Sequence, residues 1–158
     1  MTTQLIALNV SLLTFTTFIL YVLIKYGQQR SVSAYYYKVH PALFSTVLFI
    51  FAISAIIAGS SLLIFFAGSG ICLVAAAPNY RFKSEGDVHY AAAVSGILFG
   101  SIALVIWGYW YLVLPMMVVL IIIQLSLNNN DADGRTFWQE VIAFSSIELG
   151  ILLHILKL

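Results

Sequence analysis

The sequence predicts an all-α protein, a polytopic transmembrane bundle of six helices. Of its 158 residues, 62% are hydrophobic and only 8% are charged, and the mean hydropathy is +1.02. A soluble domain typically carries about 25% charged residues. The chain also divides into six apolar runs, each close to the roughly 20 residues that a spanning helix needs. Short polar segments separate the runs, so one transmembrane domain is expected to cover residues 1–158.

Turn-forming residues mark the ends of the predicted helices. Pro41 suits the first turn of the second helix, where its missing N–H has no intrahelical partner. Gly59 and Gly108 predict tight turns, Pro78 ends the third run, and Pro115 is tolerated as a kink in the fifth. The first run is too long for a signal peptide and no basic residue precedes it, so it is predicted to be a span. The predicted spans are 5–26, 41–58, 61–78, 88–107, 109–127 and 137–157.

Six of the seven Lys and Arg residues lie on one side of this arrangement: Lys25, Arg30, Lys38, Arg81, Lys83 and Arg135. Lys157 alone lies at the other end. An excess of Lys and Arg in short loops marks the cytoplasmic side of a membrane protein, so both termini are expected outside. The net charge of +1 gives no signal for binding polyanions, and nucleic acid is not expected as a partner.

The three loops on the basic side are also the longest and most polar, and they predict a binding site at that mouth. Its candidate ligand-binding residues are Ser31, Ser33, Tyr35 and Tyr36, together with His89 and Glu140 just inside the adjoining helices. Solvated loops are the alternative for Asp131, Asp133, Lys83 and Arg135, and anchoring at the interface is the alternative for the tyrosines. The opposite side offers an aromatic belt at Trp107, Tyr109, Trp110 and Tyr111.

His89 is predicted to face the bundle interior. The small residues Ala92, Ala93, Gly96, Gly100 and Ala103 share its side of the fourth helix, and small residues mark faces where membrane helices pack closely. A histidine just below the surface could relay protons, bind a head-group phosphate or bind a metal. The structural alternative is a histidine that cross-links helices through one hydrogen bond.

Two acids lie on the sixth helix. Glu140 begins it, where the helix dipole favours a carboxylate, at a depth that would allow pairing with His89; these two residues are the catalytic candidates. Glu148 lies near mid-bilayer, and an intramembrane acid is a functional-site hypothesis by default. The alternative is a protonated Glu148 hydrogen-bonded to a Tyr, a Ser or Gln124 on a neighbouring helix.

The sequence predicts neither a metal site nor a cofactor. His154 is expected at the far end from His40 and His89, and no ligand-spacing motif supports a mixed site of His40, Asp87, His89 and Glu140. The small-residue faces of Gly68 and Cys72 and of Gly96 and Gly100 predict close helix packing. The same faces are candidates for homo-oligomerisation or for contact with another membrane protein. Ser11, Thr14, Thr16 and Thr17 of the first helix can bond back to their own backbone, so they do not require a pore lining.

Several short motifs carry a family resemblance over about residues 31 to 100. They are Ser31-Val32-Ser33, Pro41 and Phe44, Gly59, a small-residue helix closing at Pro78, and His89 followed by Ala92. Their order resembles the DRAM/Sfk-type six-helix membrane protein superfamily and its bacterial branch. Glu85-Gly86 and Trp138-Gln139-Glu140 also resemble small hypothetical membrane proteins of Bacteroidetes or their phages. The resemblance implies a six-helix bundle and an association with lipid remodelling, with sterol or phospholipid organisation, or with membrane signalling, and it supplies no catalytic residues. The expected location is a bacterial inner membrane.

Three functional classes follow from these observations. The first is a protein that binds lipid at the polar mouth, with enzymatic activity on head groups left open. The second is a small proton-coupled transporter or channel that uses Glu148. The third is a non-catalytic subunit that assembles through its small-residue faces.

Overall fold

The structure is a computed structural model that describes residues 1–76, 83–126 and 132–157. Within those ranges it leaves out the side chains of residues 83–85, 124, 126 and 132–135. Predictions that concern Pro78, Arg81 and Asp131, or the side chains of the residues just named, therefore lie outside the described residues. The same holds for Gln124 as a partner of Glu148.

Six α-helices form the described part of the chain, and no strand occurs in it, which confirms the predicted all-α bundle. They are α1 (Thr2–Tyr26), α2 (Pro41–Gly59), α3 (Leu62–Ala76), α4 (Lys83–Ile106), α5 (Trp110–Ser126) and α6 (Ala132–Leu156). A 3-10 helix, Ser33–Tyr37, lies between α1 and α2 where the sequence predicted only a polar loop.

Four helices are long and apolar enough to cross a membrane: Thr2–Tyr26, Pro41–Gly59, Gly86–Ile106 and Thr136–Leu156. Two further apolar helices are shorter, Leu62–Ala76 and Trp110–Ile123. At 1.5 Å per residue, the 15 residues of α3 reach about 22 Å, less than the roughly 30 Å hydrocarbon core. The lengths thus support four of the six predicted spans; the other two, and the orientation of the termini, remain predictions.

Local side-chain chemistry fixes the ends of α2. Pro41 occupies its first turn as predicted, and the Nδ1 atom of His40 accepts a hydrogen bond from the Ala42 amide at 3.3 Å. At the other end, Ser60 adopts the left-handed conformation, with φ 46°, and its hydroxyl donates to the Ile57 carbonyl at 2.8 Å. This reversal places α3 directly beside α2.

Helix α6 is the centre of the bundle, since it contacts α1, α2, α4 and α5. Helix α3 packs between α2 and α4. An aromatic core lies toward the end that holds Lys25, Arg30 and Lys38, which we call the basic end; it includes Phe18, Tyr35, Phe44, Phe51 and Phe137. A mainly aliphatic core, with Leu8, Ile64, Leu104 and Ile151, fills the other end.

The predicted small-residue faces pack against helices of the same chain. A Cβ added at Gly70 of α3 would come within 2.6 Å of the Ala92 carbonyl oxygen of α4. A Cβ at Gly96 would come within 3.3 Å of the Ala67 carbonyl oxygen, and one at Gly100 within 2.5 Å of the Ile147 side chain on α6. Small residues therefore allow α4 to approach both α3 and α6.

Candidate functional site

A cavity of about 390 Å³ lies at the basic end of the bundle, and we call it the mouth cavity. It is lined by Arg30, Ser31, Ser33, His89, Tyr90, Ala93, Val94, Ile97, Thr136, Gln139 and Glu140. Four of the six predicted ligand-binding residues, Ser31, Ser33, His89 and Glu140, are therefore brought together around one space, although they come from three separate parts of the sequence.

Two backbone groups of the segment between α1 and α2 form hydrogen bonds that join it to the second and third turns of α6. The Arg30 carbonyl accepts a hydrogen bond from the Phe137 amide at 3.0 Å. Two residues on, the Val32 amide donates to Oε2 of Glu140 at 2.6 Å. Glu140 thus holds the segment against α6 while its side chain also lines the cavity.

The two serines form one hydroxyl pair at the rim of the 3-10 helix. Their Oγ atoms are 3.0 Å apart, and the Ser31 hydroxyl also accepts from the Ala34 amide at 3.1 Å. Because Ser33 is buried, the pair faces the interior of the bundle rather than the solvent. Both serines also line the mouth cavity.

The prediction that His89 faces inward is confirmed. Its side chain is only 5% exposed, and Ala92 and Ala103 on the same face of α4 are also buried. Neighbouring Tyr90, in contrast, is 73% exposed on the outside of the bundle. His89 therefore lies in the inner wall of the mouth cavity, and Tyr90 lies at its outer edge.

The structure does not bring Tyr35 and Tyr36 to this cavity. Tyr35 is fully buried in the aromatic core against Phe18 and Phe137, and its hydroxyl donates to the Gly27 carbonyl at 2.8 Å. Burial raises the pKa of the Tyr35 phenol, which favours the protonated, donating form. Tyr36 packs against Phe44. Tyr35 is thus part of the core, because its ring fills the space between α1 and α6.

The lining of the mouth cavity changes from polar to apolar along α4. His89 is the first polar residue of α4 in the lining, and Ala93 and Ile97 continue it one and two turns further along the helix. Val94, which is 45% exposed, also lines it. The cavity is therefore open to the outer surface of the bundle between α4 and α6.

Several lining residues had not been singled out from the sequence as site residues, namely Arg30, Tyr90, Thr136 and Gln139. Arg30 had served only as a topology marker. Two of the others had an available signal, since Tyr90 and Gln139 are the direct neighbours of His89 and Glu140. Gln139 also joins α6 to α5, donating to the Leu120 carbonyl at 3.3 Å.

A second polar cluster lies deep in the bundle around Glu148, which is only 2% exposed. Its Oε1 atom is 2.5 Å from Oγ of Ser11 on α1, and the same hydroxyl is 3.1 Å from the Phe51 carbonyl oxygen of α2. Ser11 therefore joins its own helix to α2 and α6. We call these three groups the Ser11 cluster.

Counting hydrogen atoms indicates a neutral acid in the Ser11 cluster. A serine hydroxyl has one hydrogen to donate and can accept as well. Both contacts become hydrogen bonds if the Glu148 carboxyl donates to Ser11 and Ser11 donates to Phe51. The other carboxyl oxygen, Oε2, is buried without a hydrogen-bond partner. A neutral carboxyl tolerates that position better than a charged one, because burying an unpaired charge is far more costly.

The other two histidines, His40 and His154, make structural contacts at helix ends. His40 caps α2 as described, and the His154 ring stacks on Trp107 with centroids 3.9 Å apart. Among the side chains that the structure describes, no group of three from His, Cys, Asp or Glu is placed to hold a metal ion. In the predicted aromatic belt, Trp110 and Tyr111 are exposed as expected, whereas Tyr109 is buried.

The fold and this site together define a class: an integral membrane protein built as a helical bundle, with a cavity of mixed polar and apolar lining at one end. Comparison of the chain with protein-family models, curated proteins and solved structures gives no match. The resemblance to the DRAM/Sfk-type superfamily therefore remains a prediction.

Proposed function

We propose that this membrane protein binds a lipid at the mouth cavity, with the head group among the polar residues and the start of an acyl chain along α4. The observation that carries the proposal is the change from polar to apolar lining in a cavity that opens on the outer surface of the bundle. A water-soluble ligand would not require the apolar half, and an acyl chain alone would not require the polar half.

The residues around the polar half match a phosphate-containing head group. The Arg30 guanidinium provides several donors in a fixed planar arrangement suited to phosphate oxygens. The side chains of Ser31, Ser33 and His89 line the same cavity. If the lipid is also a substrate, His89 and Glu140 are the groups that can move a proton, so enzymatic turnover is a separate question from binding.

The resemblance over residues 31 to 100 supports the same proposal, because it implies an association with lipid organisation. The proposed location is a bacterial inner membrane. Lipid access fits the exposed positions of Tyr90 and Val94, which lie on the outside of α4 beside the cavity.

The two alternative functions have less support. For a proton-coupled transporter, the space that Glu148 lines is only about 20 Å³, room for about one water molecule rather than a path. For an assembly subunit, the faces around Gly68 and around Gly96 and Gly100 are buried against helices of the same chain.

A matched pair of histidine substitutions tests the head-group half of the proposal. His89→Asn is expected to reduce the amount of phosphatidylglycerol or phosphatidylethanolamine that stays bound, measured by native mass spectrometry of the purified protein. His40→Asn removes an imidazole at the same end but keeps a residue suited to cap α2. Equal lipid retention in His89→Asn and the wild type would remove His89 from the proposed site.

A second pair tests lipid entry between α4 and α6. Val94→Trp places a large side chain at the open edge of the mouth cavity and is expected to reduce lipid retention. Leu98→Trp is the control, since Leu98 lies one turn further along α4, is 53% exposed and does not line the cavity. If both variants retain lipid like the wild type, the cavity is not the binding site.

A further inference from the structure

A separate groove runs along the outer surface between α1 and α2. Its volume is about 460 Å³, and it lies outside the mouth cavity. It is lined by Leu13, Thr14, Thr17, Phe18 and Tyr21 of α1 and by Leu43 and Val47 of α2. Apart from two threonine hydroxyls and one phenol, these side chains are apolar, so the groove suits a hydrocarbon chain.

The cation Lys25 lies at one end of this groove. The Lys25 Nζ atom is 3.1 Å from the hydroxyl of Tyr21, which itself lines the groove. The ammonium also lies 5.4 Å and 5.3 Å from the ring centroids of Tyr21 and Tyr26. No ion pair to Lys25 occurs among the residues that the structure describes, so its charge is available to an anion.

The distance from the apolar end of the groove to Lys25 is close to the thickness of one lipid leaflet. The apolar residues and the cation follow one another in the order of an acyl chain and its head group. Leu13, Thr17, Tyr21 and Lys25 follow one another at intervals of four, so they form one stripe along α1. The twelve steps from Leu13 to Lys25 span about 18 Å, close to half of the roughly 30 Å hydrocarbon core. A chain that begins below the Lys25 ammonium would therefore end near the middle of the bilayer.

We propose that the groove between α1 and α2 is a second lipid site, which holds an anionic phospholipid with its phosphate at Lys25 and one acyl chain between Thr17 and Val47. Charge complementarity selects the head group, because Lys25 is a cation without an acidic partner in the described part of the chain. The Tyr21 hydroxyl, 3.1 Å from the Lys25 Nζ atom, lies beside the proposed phosphate position. The short side chains of Thr14 and Thr17 leave room for the chain.

Two lysine variants test the head-group contact. The wild-type protein is titrated with phosphatidylglycerol and with phosphatidylethanolamine of identical acyl chains, and bound lipids are counted by native mass spectrometry. Lys25→Gln is expected to weaken phosphatidylglycerol binding about fivefold, the size of one lysine near an anionic lipid. Lys38→Gln is the control, since Lys38 is an exposed cation at the same end and does not line the groove. Equal losses in both variants would show general surface attraction and overturn the proposal.

Two threonine variants test the groove itself. Thr17→Phe fills it and is expected to lower binding of both lipids, whereas Thr16→Phe adds the same ring at an exposed position of α1 outside the groove. Circular dichroism and gel filtration check that both variants fold. Unchanged binding in a folded Thr17→Phe protein would overturn the proposal.

The two lipid sites are distinguished by combining variants. In a Val94→Trp background the mouth cavity is blocked, and the Lys25-dependent preference for phosphatidylglycerol is expected to persist. Its loss in that background would assign the anionic lipid to the mouth cavity and overturn the groove proposal. If the Lys25-dependent preference persists and Val94→Trp also retains as much lipid as the wild type, the groove proposal is supported. The same result would contradict the proposed lipid site in the mouth cavity.

Discussion

Ser11 shows how one small polar residue can hold three membrane helices together. Its hydroxyl contacts Glu148 of α6 and the Phe51 carbonyl of α2, and all three groups are buried. The sequence identified Glu148 as the unusual residue and named a serine on a neighbouring helix as one partner of a structural acid. It did not identify which serine, because residues 11 and 148 meet only in the tertiary fold.

Removing the Ser11 hydroxyl is expected to destabilise the bundle. Ser11→Ala leaves the Glu148 carboxyl without its hydroxyl partner, and a buried unsatisfied polar group costs about 1–3 kcal/mol. Thermal unfolding in detergent should therefore show a lower midpoint for Ser11→Ala. Thr16→Ala, an exposed change on the same helix, should have little effect.

Glu148→Gln tests the protonation of the Ser11 cluster. An amide can donate to Ser11 as a neutral carboxyl does, so the variant is expected to unfold near the wild-type temperature at neutral pH. Glu148→Ala removes the donor and should be clearly less stable. If Glu148→Gln were as destabilised as Glu148→Ala, the donor role assigned to the carboxyl would be wrong.

Tyr35 gives a prediction about alkaline pH. Its folded-state pKa is raised by burial above the ordinary value of 10.0, so the folded state keeps a proton that the unfolded state releases. The free energy of unfolding should then fall as pH rises above about 10. Tyr35→Phe is expected to show a shallower alkaline decline than the wild type when the free energy of unfolding is measured against pH.

At the scale of the helices, the sequence predicted which faces turn inward but not which neighbour each face meets. Periodic small residues placed His89 and Gly96 on the inner face of α4, and both are buried. The pairing of that face with α3 and α6 depends on how all the helices fit together. The 3-10 helix was missed because Ser33–Tyr37 carries no helical periodicity of its own and is held by contacts with α6.

The close approach of α3 and α4 can be tested with two glycine variants. An added Cβ at Gly70 would lie 2.6 Å from the Ala92 carbonyl oxygen, whereas one at Gly96 would lie 3.3 Å from the Ala67 carbonyl oxygen. Overpacking of this kind costs about 1–3 kcal/mol. Gly70→Ala should therefore lower the unfolding midpoint more than Gly96→Ala. If Gly70→Ala and Gly96→Ala unfolded at the same temperature, the closer approach of α3 and α4 at Gly70 would not limit the size of the side chain there.

At the scale of the whole molecule, the unequal distribution of Lys and Arg predicts the orientation in the membrane. Cys72 is the only cysteine, so Cys72→Ala gives a background without thiols. In that background Gln28→Cys should react with an impermeant maleimide only from the cytoplasmic side, and Thr3→Cys only from outside. Labelling of Thr3→Cys from the cytoplasmic side would reverse the predicted topology.

The sequence by itself determined the class of the protein, the six helices and the end of the bundle where polar groups gather. These properties follow from apolar composition, run length and turn residues, which are local features of the chain. Only the tertiary structure decided that Ser31, Ser33, His89 and Glu140 share one cavity while Tyr35 belongs to the core. It also joined Ser11 to Glu148 and placed the groove between α1 and α2 beside Lys25. Such contacts depend on the packing of distant segments, because residues far apart in the chain become neighbours only when the helices settle against one another.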